Sequence, residues 1–357
     1  MLNLVRRIAA LILCVGAASV QADPLPSYSP LDQPALPSVL AATGALLDIR
    51  QVGERLVAVG ERGHIVYSED GGQQWQQAQV PVSVTLTAVD FVDDQHGWAV
   101  GHGLVILATA DGGLTWQRQT DGRQLVGMWH QQAEAAQQAG DDRLAMKLQR
   151  YSDDGADKPL LDVHFINAQD GLAVGAYGVM LSTDNGGQSW HSAAGRLGGE
   201  EDRHIYHIAS DGDGIILMGE MGLLYQSGDR GQHFQPLDSP SDASLFSGWY
   251  SASQQQLLLL GLRGTLWQGD LSSADWQPLA IDTQYSLLAI LPLTTGGYLL
   301  SDDGGGLWRL QDNGTTSRLA VSAGFPILAL SPGTRSEAPV IAVGLQGALA
   351  VTPAAQP

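Results

Sequence analysis

The stretch SEDGGQQW, Ser68 to Trp75, returns as TADGGLTW (Thr109 to Trp116), as STDNGGQSW (Ser182 to Trp190) and as SGDRGQHF (Ser227 to Phe234). Counting on to Trp276, the aromatic ends lie 41, 74, 44 and 42 residues apart, so the chain repeats at about 40 residues, with an insertion in the gap of 74. A repeat of this length restricts the fold, because each unit must bury its apolar face against a neighbour built the same way.

A second marker precedes each box: AVGERGHIVYS (Ala58 to Ser68), AVGHGLVILAT (Ala99 to Thr109), AVGAYGVMLST (Ala173 to Thr183) and LMGEMGLLYQS (Leu217 to Ser227). It continues without a box at Leu259, Leu299 and Ala342, which makes seven units. Within a unit, short β-branched and aliphatic runs alternate with Gly and Asp turns, as in LLDIRQV, RLVAVG, HIVYSE and QQWQQAQV between Leu46 and Val80. Four strands per repeat at this period predict an all-β chain, a seven-bladed β-propeller, with a parallel-stranded solenoid as the competing architecture. The seventh unit ends near Val351 after three strands, so the segment Tyr28 to Ile49 is expected to close the ring with it and remove an open edge.

The boxes read as hairpin braces. Asp70, Asp111 and Asp229 are placed to accept backbone N–H bonds, and either Asp184 or Asn185 does so in the third box, which has one residue more. Trp75, Trp116 and Trp190 then wedge between adjacent sheets. Four copies of one arrangement mark a scaffold, since a unique site does not recur.

The first 22 residues have Arg6 and Arg7, an apolar run from Ile8 and small residues up to Ala22, the layout of a secretory signal; residues 23–357 then form one propeller domain. Leu13 is large for the residue before a lipidated cysteine, so Cys14, the single cysteine, reads as apolar filler. The mature chain therefore has no thiol chemistry and is expected to be soluble in the periplasm or secreted. Its formal charge is −19 before the two arginines leave, a surface that repels nucleic acid and anionic lipid.

With AVDFVDDQHGWAVG (Ala88 to Gly101) and LDVHFINAQDGLAVGAYG (Leu161 to Gly178), the boxes make the chain resemble the photosystem II stability and assembly factor family, seven-bladed propellers of the BNR/Asp-box group. That resemblance implies a noncatalytic protein that binds a membrane or envelope protein and assists its assembly or stability. Photosynthetic members typically carry arginine just before the box Ser or Thr; Tyr67, Ala108 and Gln226 stand there instead, so the photosystem partner is not implied. The alternative is a carbohydrate-binding or glycoside-hydrolysing Asp-box propeller, but no Arg-Ile-Pro signature precedes the repeats and no acid and nucleophile can be paired.

No nucleotide-loop, serine-hydrolase or zinc-protease motif occurs, so neither catalytic residues nor a cofactor are nominated. Asp211 to Gly214 begins like a calcium loop, but Ile215 follows where an oxygen ligand is needed, and His204 and His207 are spaced for opposite faces of a strand, so no metal site is assigned. A partner is expected on the face of the Gly-x-x-Gly turns, where Arg62, His102, Tyr177, Glu220, Arg263 and Asp302 belong. The insertion, residues 123–159, joins units two and three on that face; it reads as a helical hairpin over the channel mouth, broken near Gly140, with Met128 and Trp129 as contact residues. A glycan or small molecule is not the expected ligand.

Overall fold

The apolar runs are too short for helices and the turns between them too tight for crossovers, so each repeat closes on itself as an antiparallel sheet. The computed structural model describes residues 28–197, 202–271, 275–334 and 339–352, and the expected leader lies outside them. Within these residues, six sheets of four strands and one of three follow one another in chain order. We number them one to seven, spanning residues 46–77, 86–120, 160–192, 205–236, 245–278, 287–322 and 327–351.

The first strand of each sheet touches the first strand of the next, and that of sheet seven touches that of sheet one, so the order closes on itself. The arrangement is all-β and propeller-like. Second strands such as Gly97–Gly101, Gly171–Gly175 and Gly214–Gly219 are buried along their whole length, which explains their unbroken apolar sequences. One apolar cluster fills each junction between neighbouring sheets; Trp116 belongs to the junction of sheets one and two, and Trp190 to that of two and three.

The box hydrogen bonds follow the sequence expectation closely. Asp70 Oδ1 accepts from Gln73 N and Gln74 N at 3.0 and 2.9 Å, and Ser68 Oγ accepts from Gly72 N at 2.8 Å. Asp111 and Asp229 repeat the pattern with Leu114 and Thr115, and with Gln232 and His233. In the third box the acceptor is Asn185, whose Oδ1 takes Ser189 N, and Asp184 stays outside. The backbone at Gly71, Gly112 and Gly186 is left-handed, and Arg230 holds the same conformation in the fourth box at φ 60°.

Two α-helices occur among the described residues. α1, Gly122–Gln138, and α2, Asp142–Asp153, are capped by Asp121 and Asp141, with Gly140 at φ 79° between them. The hairpin is not over the channel mouth. Leu125, Trp129, Leu148 and Tyr151 are buried with Leu104, Val179 and Ala194 of sheets two and three, and Tyr151 Oη donates to Gly178 O at 2.6 Å. No residue of the hairpin lines the channel. A helix pair with one apolar face buries it against the nearest apolar surface, and the junction of the two sheets that the insertion connects supplies it.

The expected closure by the N-terminal segment is also corrected. Residues 28–40 leave sheet seven and run as a strap over sheets one and two: Ala35 N donates to Val80 O, Ser38 N to Gln77 Oε1 and Ser83 N to Pro30 O. Among the described residues Ala41–Thr43 packs on the last strand of sheet seven, and that sheet has three strands. The guanidinium of Arg123 holds Asp32 through two bonds of 2.7 and 2.9 Å, and that bidentate pair anchors the far end of the strap.

The braces predict a stability effect that does not depend on charge. Thr183 Oγ1 is buried and accepts from Asn185 N and Gly187 N, so Thr183→Val keeps the shape and strands buried donors. We expect a loss of about 1–3 kcal/mol in urea unfolding; an unchanged midpoint and slope would show that the boxes are not braces.

Candidate protein-binding surface

In an antiparallel four-stranded sheet, the turn between strands two and three and the passage to the next sheet lie on one side. The boxes lie on the other. The turn side is therefore one continuous face, built from five copies of the same three-residue 3-10 turn, the differing turns of sheets six and seven, and the channel mouth they surround.

The turns place large side chains where glycine is cheapest. Arg62, Tyr177, Met221 and Arg263 have φ of 58, 58, 50 and 56°, and all four are exposed. A non-glycine residue in this conformation costs roughly 1–2 kcal/mol, which the fold accepts four times at equivalent positions. His102 is exposed one position earlier in its turn, and Glu220 is half-buried, accepting from His204 N. Met221 escaped the sequence reading, which chose its neighbour Glu220; its place level with Arg62 and Tyr177 in the aligned turns was the available signal.

Two nominated contacts are corrected. Asp302 is 1% exposed and its carboxylate accepts from Gly304 N, Gly306 N and Trp308 Nε1, so it braces its turn. Trp129 is fully buried against Tyr151, with the Lys158 ammonium over its ring, and Met128 is half-buried beside it. An apolar helix face with a tryptophan reads equally well as anchor or core in sequence; the packing decides for core.

Inside the ring of turns, Leu47, Leu161, Tyr206, Phe246, Leu288 and Leu328 form a half-buried collar at the mouth of a cavity of ≈ 530 Å³. These are the second residues of the first strands, which alternate toward the channel. Tyr177 packs edge-on against His204, whose ring meets Tyr206, which in turn meets Phe246, so an aromatic row links the turn tip to the collar. With exposed Met221, Leu262, Tyr285 and Leu345, the mouth carries most of the exposed large apolar side chains outside the strap.

Below the collar the channel wall is charged, a feature the sequence reading missed although charges interrupt LLDIRQV and LLDVHF. Asp48 Oδ2 accepts from Val89 N, Asp90 Oδ2 from Phe165 N and Asp162 Oδ2 from Ile208 N, all at 2.8 to 2.9 Å. Each carboxylate thus bonds the backbone of the following sheet. Burial pushes the Asp48 carboxyl up, opposed by Arg50 at 2.7 Å. Burial acts on Asp162 too, but His207 at 2.9 Å and the Ile208 amide outweigh it and hold that carboxyl low. His204 and His207 sit in different settings, and among the described residues no group of three or more His, Cys, Asp or Glu side chains is placed to hold a metal ion.

The geometry defines a class: an Asp-box, propeller-like ring whose boxes close on their own hydrogen bonds and whose opposite face carries exposed turn side chains. The family model described as "Photosynthesis system II assembly factor YCF48" matches residues 68–133 and 148–299, and the chain belongs to that family. It is 23% identical over 277 residues to the photosystem II assembly lipoprotein Ycf48 of Synechococcus sp. (strain CC9902), a match covering 72% of this chain and 66% of that protein. It is 35% identical over 79 residues to the chloroplastic photosystem II stability/assembly factor HCF136 of Cyanidioschyzon merolae, covering 20% of this chain and 18% of that one. The chain thus spans less than two thirds of the length of these curated relatives. Solved structures share the fold: YCF48 bound to D1 peptide has a TM-score of 0.65 at 16% identity, covering 88% of this chain and 95% of that one. YCF48 from Cyanidioschyzon merolae has a TM-score of 0.61 at 16% identity over 86% and 95%. Among the described residues no helix is long and apolar enough to cross a membrane.

The strap that borders this face is clasped by a titratable group. The Arg123 hydrogen bond holds the Asp32 carboxyl down, to about 2 from an ordinary 3.8. A depressed folded-state value means the clasp stabilises the strap above pH 3.8 and is lost as pH falls toward about 2. Exchange protection of the Ala35 amide is expected to be constant from neutral pH to about 4 and to collapse below it, and Asp32→Asn is expected to remove that pH dependence. Protection that survives at pH 2, or an unchanged profile in the variant, counts against the clasp.

Proposed function

We propose that this chain is a noncatalytic, seven-bladed propeller that binds a membrane or envelope protein through its Gly-x-x-Gly turn face and assists that protein's assembly or stability. Residues 23–357 form the working domain, exported to the periplasm or secreted once residues 1–22 are removed. The carrying observation is the exposed set Arg62, Tyr177, Met221 and Arg263 held in left-handed backbone around an apolar channel mouth. Backbone strain held at exposed positions supports the reading of a working surface. Family membership supports the assembly role, and the solved relative bound to D1 peptide supports a polypeptide ligand. His102 and Glu220 complete the rim, whereas Trp129 and Asp302 serve it from beneath.

This reading separates stability from function. Met221→Gly removes the left-handed penalty and keeps the backbone bonds to Ser244 and Arg203. Its stability is expected to stay the same or to rise by up to about 1 kcal/mol, while recovery of the partner from solubilised membranes at native expression falls. Gln232→Ala, on the box side, is expected to leave recovery intact. Equal recovery by both variants would move the partner away from the turn face.

A carbohydrate-binding reading has one observation of its own. A cavity of ≈ 370 Å³ between sheets five and six is lined by Trp249 and Tyr298, with rings 5.1 Å apart, and by Gln254, Gln256, Gln268 and Asp312. An aromatic wall with amides and a carboxylate suits a neutral sugar. The protein-binding role predicts no saturable change in tryptophan fluorescence with neutral oligosaccharides, and a change abolished by Trp249→Ala would establish the second role.

A further inference from the structure

We propose that the last strand of sheet seven, Gly347–Val351, is a docking edge on which an extended segment of a partner protein pairs as a fourth strand. The inference is independent of the turn face, because this edge lies on the outer rim of the ring.

Six sheets show what belongs in the position. Each ends in a fourth strand, and sheet seven has none among the described residues. In sheets one, three, four and five the N–H of Ala78, Ala193, Leu237 and Leu279 donates to the carbonyl of Ile65, Met180, Leu224 and Leu266, two residues beyond the turn glycine. Gly347 is the matching glycine: a Cβ there would lie 2.2 Å from Ala42 O, as one at Gly63 would lie 2.1 Å from Val82 O. Two loop residues rather than three separate the paired strands at this turn, so Gly344 with Gly347 and Ala342 with Leu349 are bonded pairs, and the outward acceptor is Ala348 O, which receives no such donor among the described residues. Ala348 and Ala350 turn their N–H and C=O groups to that same open side.

The edge is also undefended. Outer strands elsewhere carry Arg118, His191, Pro236, Asp275 with Pro278, or Arg318, or are only the two glutamines Gln76–Gln77. Gly347–Val351 has neither charge nor proline, although charge and proline are the usual guards of a free edge. Beside it, Ala41–Thr43 packs on the strand, and the residues just before are fully exposed Val39 and 66% exposed Leu40. The strap that was expected to fill the position turns away toward Asp32 and its clasp. An apolar flank next to unpaired backbone is the arrangement used for strand addition.

The sister strands define the occupant. Trp75-Gln-Gln-Ala78, Trp190-His-Ser-Ala193, Phe234-Gln-Pro-Leu237 and Trp276-Gln-Pro-Leu279 share an aromatic, a polar residue, a variable residue and an apolar residue whose N–H makes the bond. A formal charge of −19 disfavours an acidic segment. The partner segment is thus extended, neutral or basic, and carries aromatic-polar-x-apolar text.

The probe is a synthetic peptide with blocked ends copying Trp276 to Ile281, the neutral part of the fourth-strand region of sheet five, added to the purified chain and followed by amide exchange in NMR. In the chain alone the Ala348 and Ala350 amides are expected to exchange freely, and saturation with peptide to slow them by about tenfold or more. N-methylation of the peptide leucine is expected to abolish the effect, as is Ala350→Pro, which removes an outward N–H; the methylated peptide keeps the test valid if that variant misfolds. Met221→Gly is expected to leave peptide protection unchanged, so failure here is distinguishable from failure of the turn-face reading. No saturable protection overturns the proposal. So does protection already present without peptide, which assigns the edge to a terminal segment of this chain, or protection lost on dilution, which assigns it to a second copy.

Discussion

A carboxylate on the first strand of one sheet that accepts a backbone N–H from the next sheet is the interaction that turns separate hairpins into a ring. Asp48, Asp90 and Asp162 do this in succession from sheet one to sheet four, and Asp211 continues it by accepting from Ala252 N at 2.8 Å. Burying these carboxylates is costly unless every oxygen is satisfied, which is why Arg50, His164 and His207 gather around them. Beyond sheet five the channel wall becomes apolar, and the contact passes to Ser301 Oγ, which donates to Ile327 O. The ring thus has a charged half and an apolar half, and the collar borders both.

The boxes act one level further out. Their carboxylates are saturated by their own loop, and their carbonyls accept from the preceding sheet: Arg55 reaches Gly112 O, Gln119 reaches Gly186 O and Arg196 reaches Gly231 O. This leaves the box side occupied with its own cohesion. On the turn side the backbone is equally tight, but the side chains point out and few of them bond within the chain. The same repeat therefore produces a structural face and a free face, and the division of labour between them follows from which side holds the third-to-fourth strand hairpin.

Where the repeat is incomplete, the chain has surface to spare. Among the described residues sheet seven has three strands, and the N-terminal segment is held away from it at Arg123 and Val80. The helical insertion, by contrast, is absorbed: its apolar face fills the junction of sheets two and three, and Lys158 is buried with its ammonium on the carbonyls of Tyr151 and Gly155. Of two departures from the repeat, one became core and the other left an edge.

The amino-acid sequence by itself determined the repeat, the strands, the box hairpins and the side on which the turns lie, because these rest on period-two apolar patterning and on bonds between residues two to four apart. The helical character of residues 122–153 and its break at Gly140 belong to the same local class. Tertiary structure alone decided that Trp129 is interior and where the N-terminal strap runs. It also decided the channel ladder and the open edge of sheet seven. Each of these depends on which groups meet across sheets, such as Asp48 with Val89 at a separation of 41 residues, or Arg123 with Asp32 at 91. Local pattern carries no record of such meetings, since an aspartate in a strand reads the same whether it faces water or a neighbour's backbone.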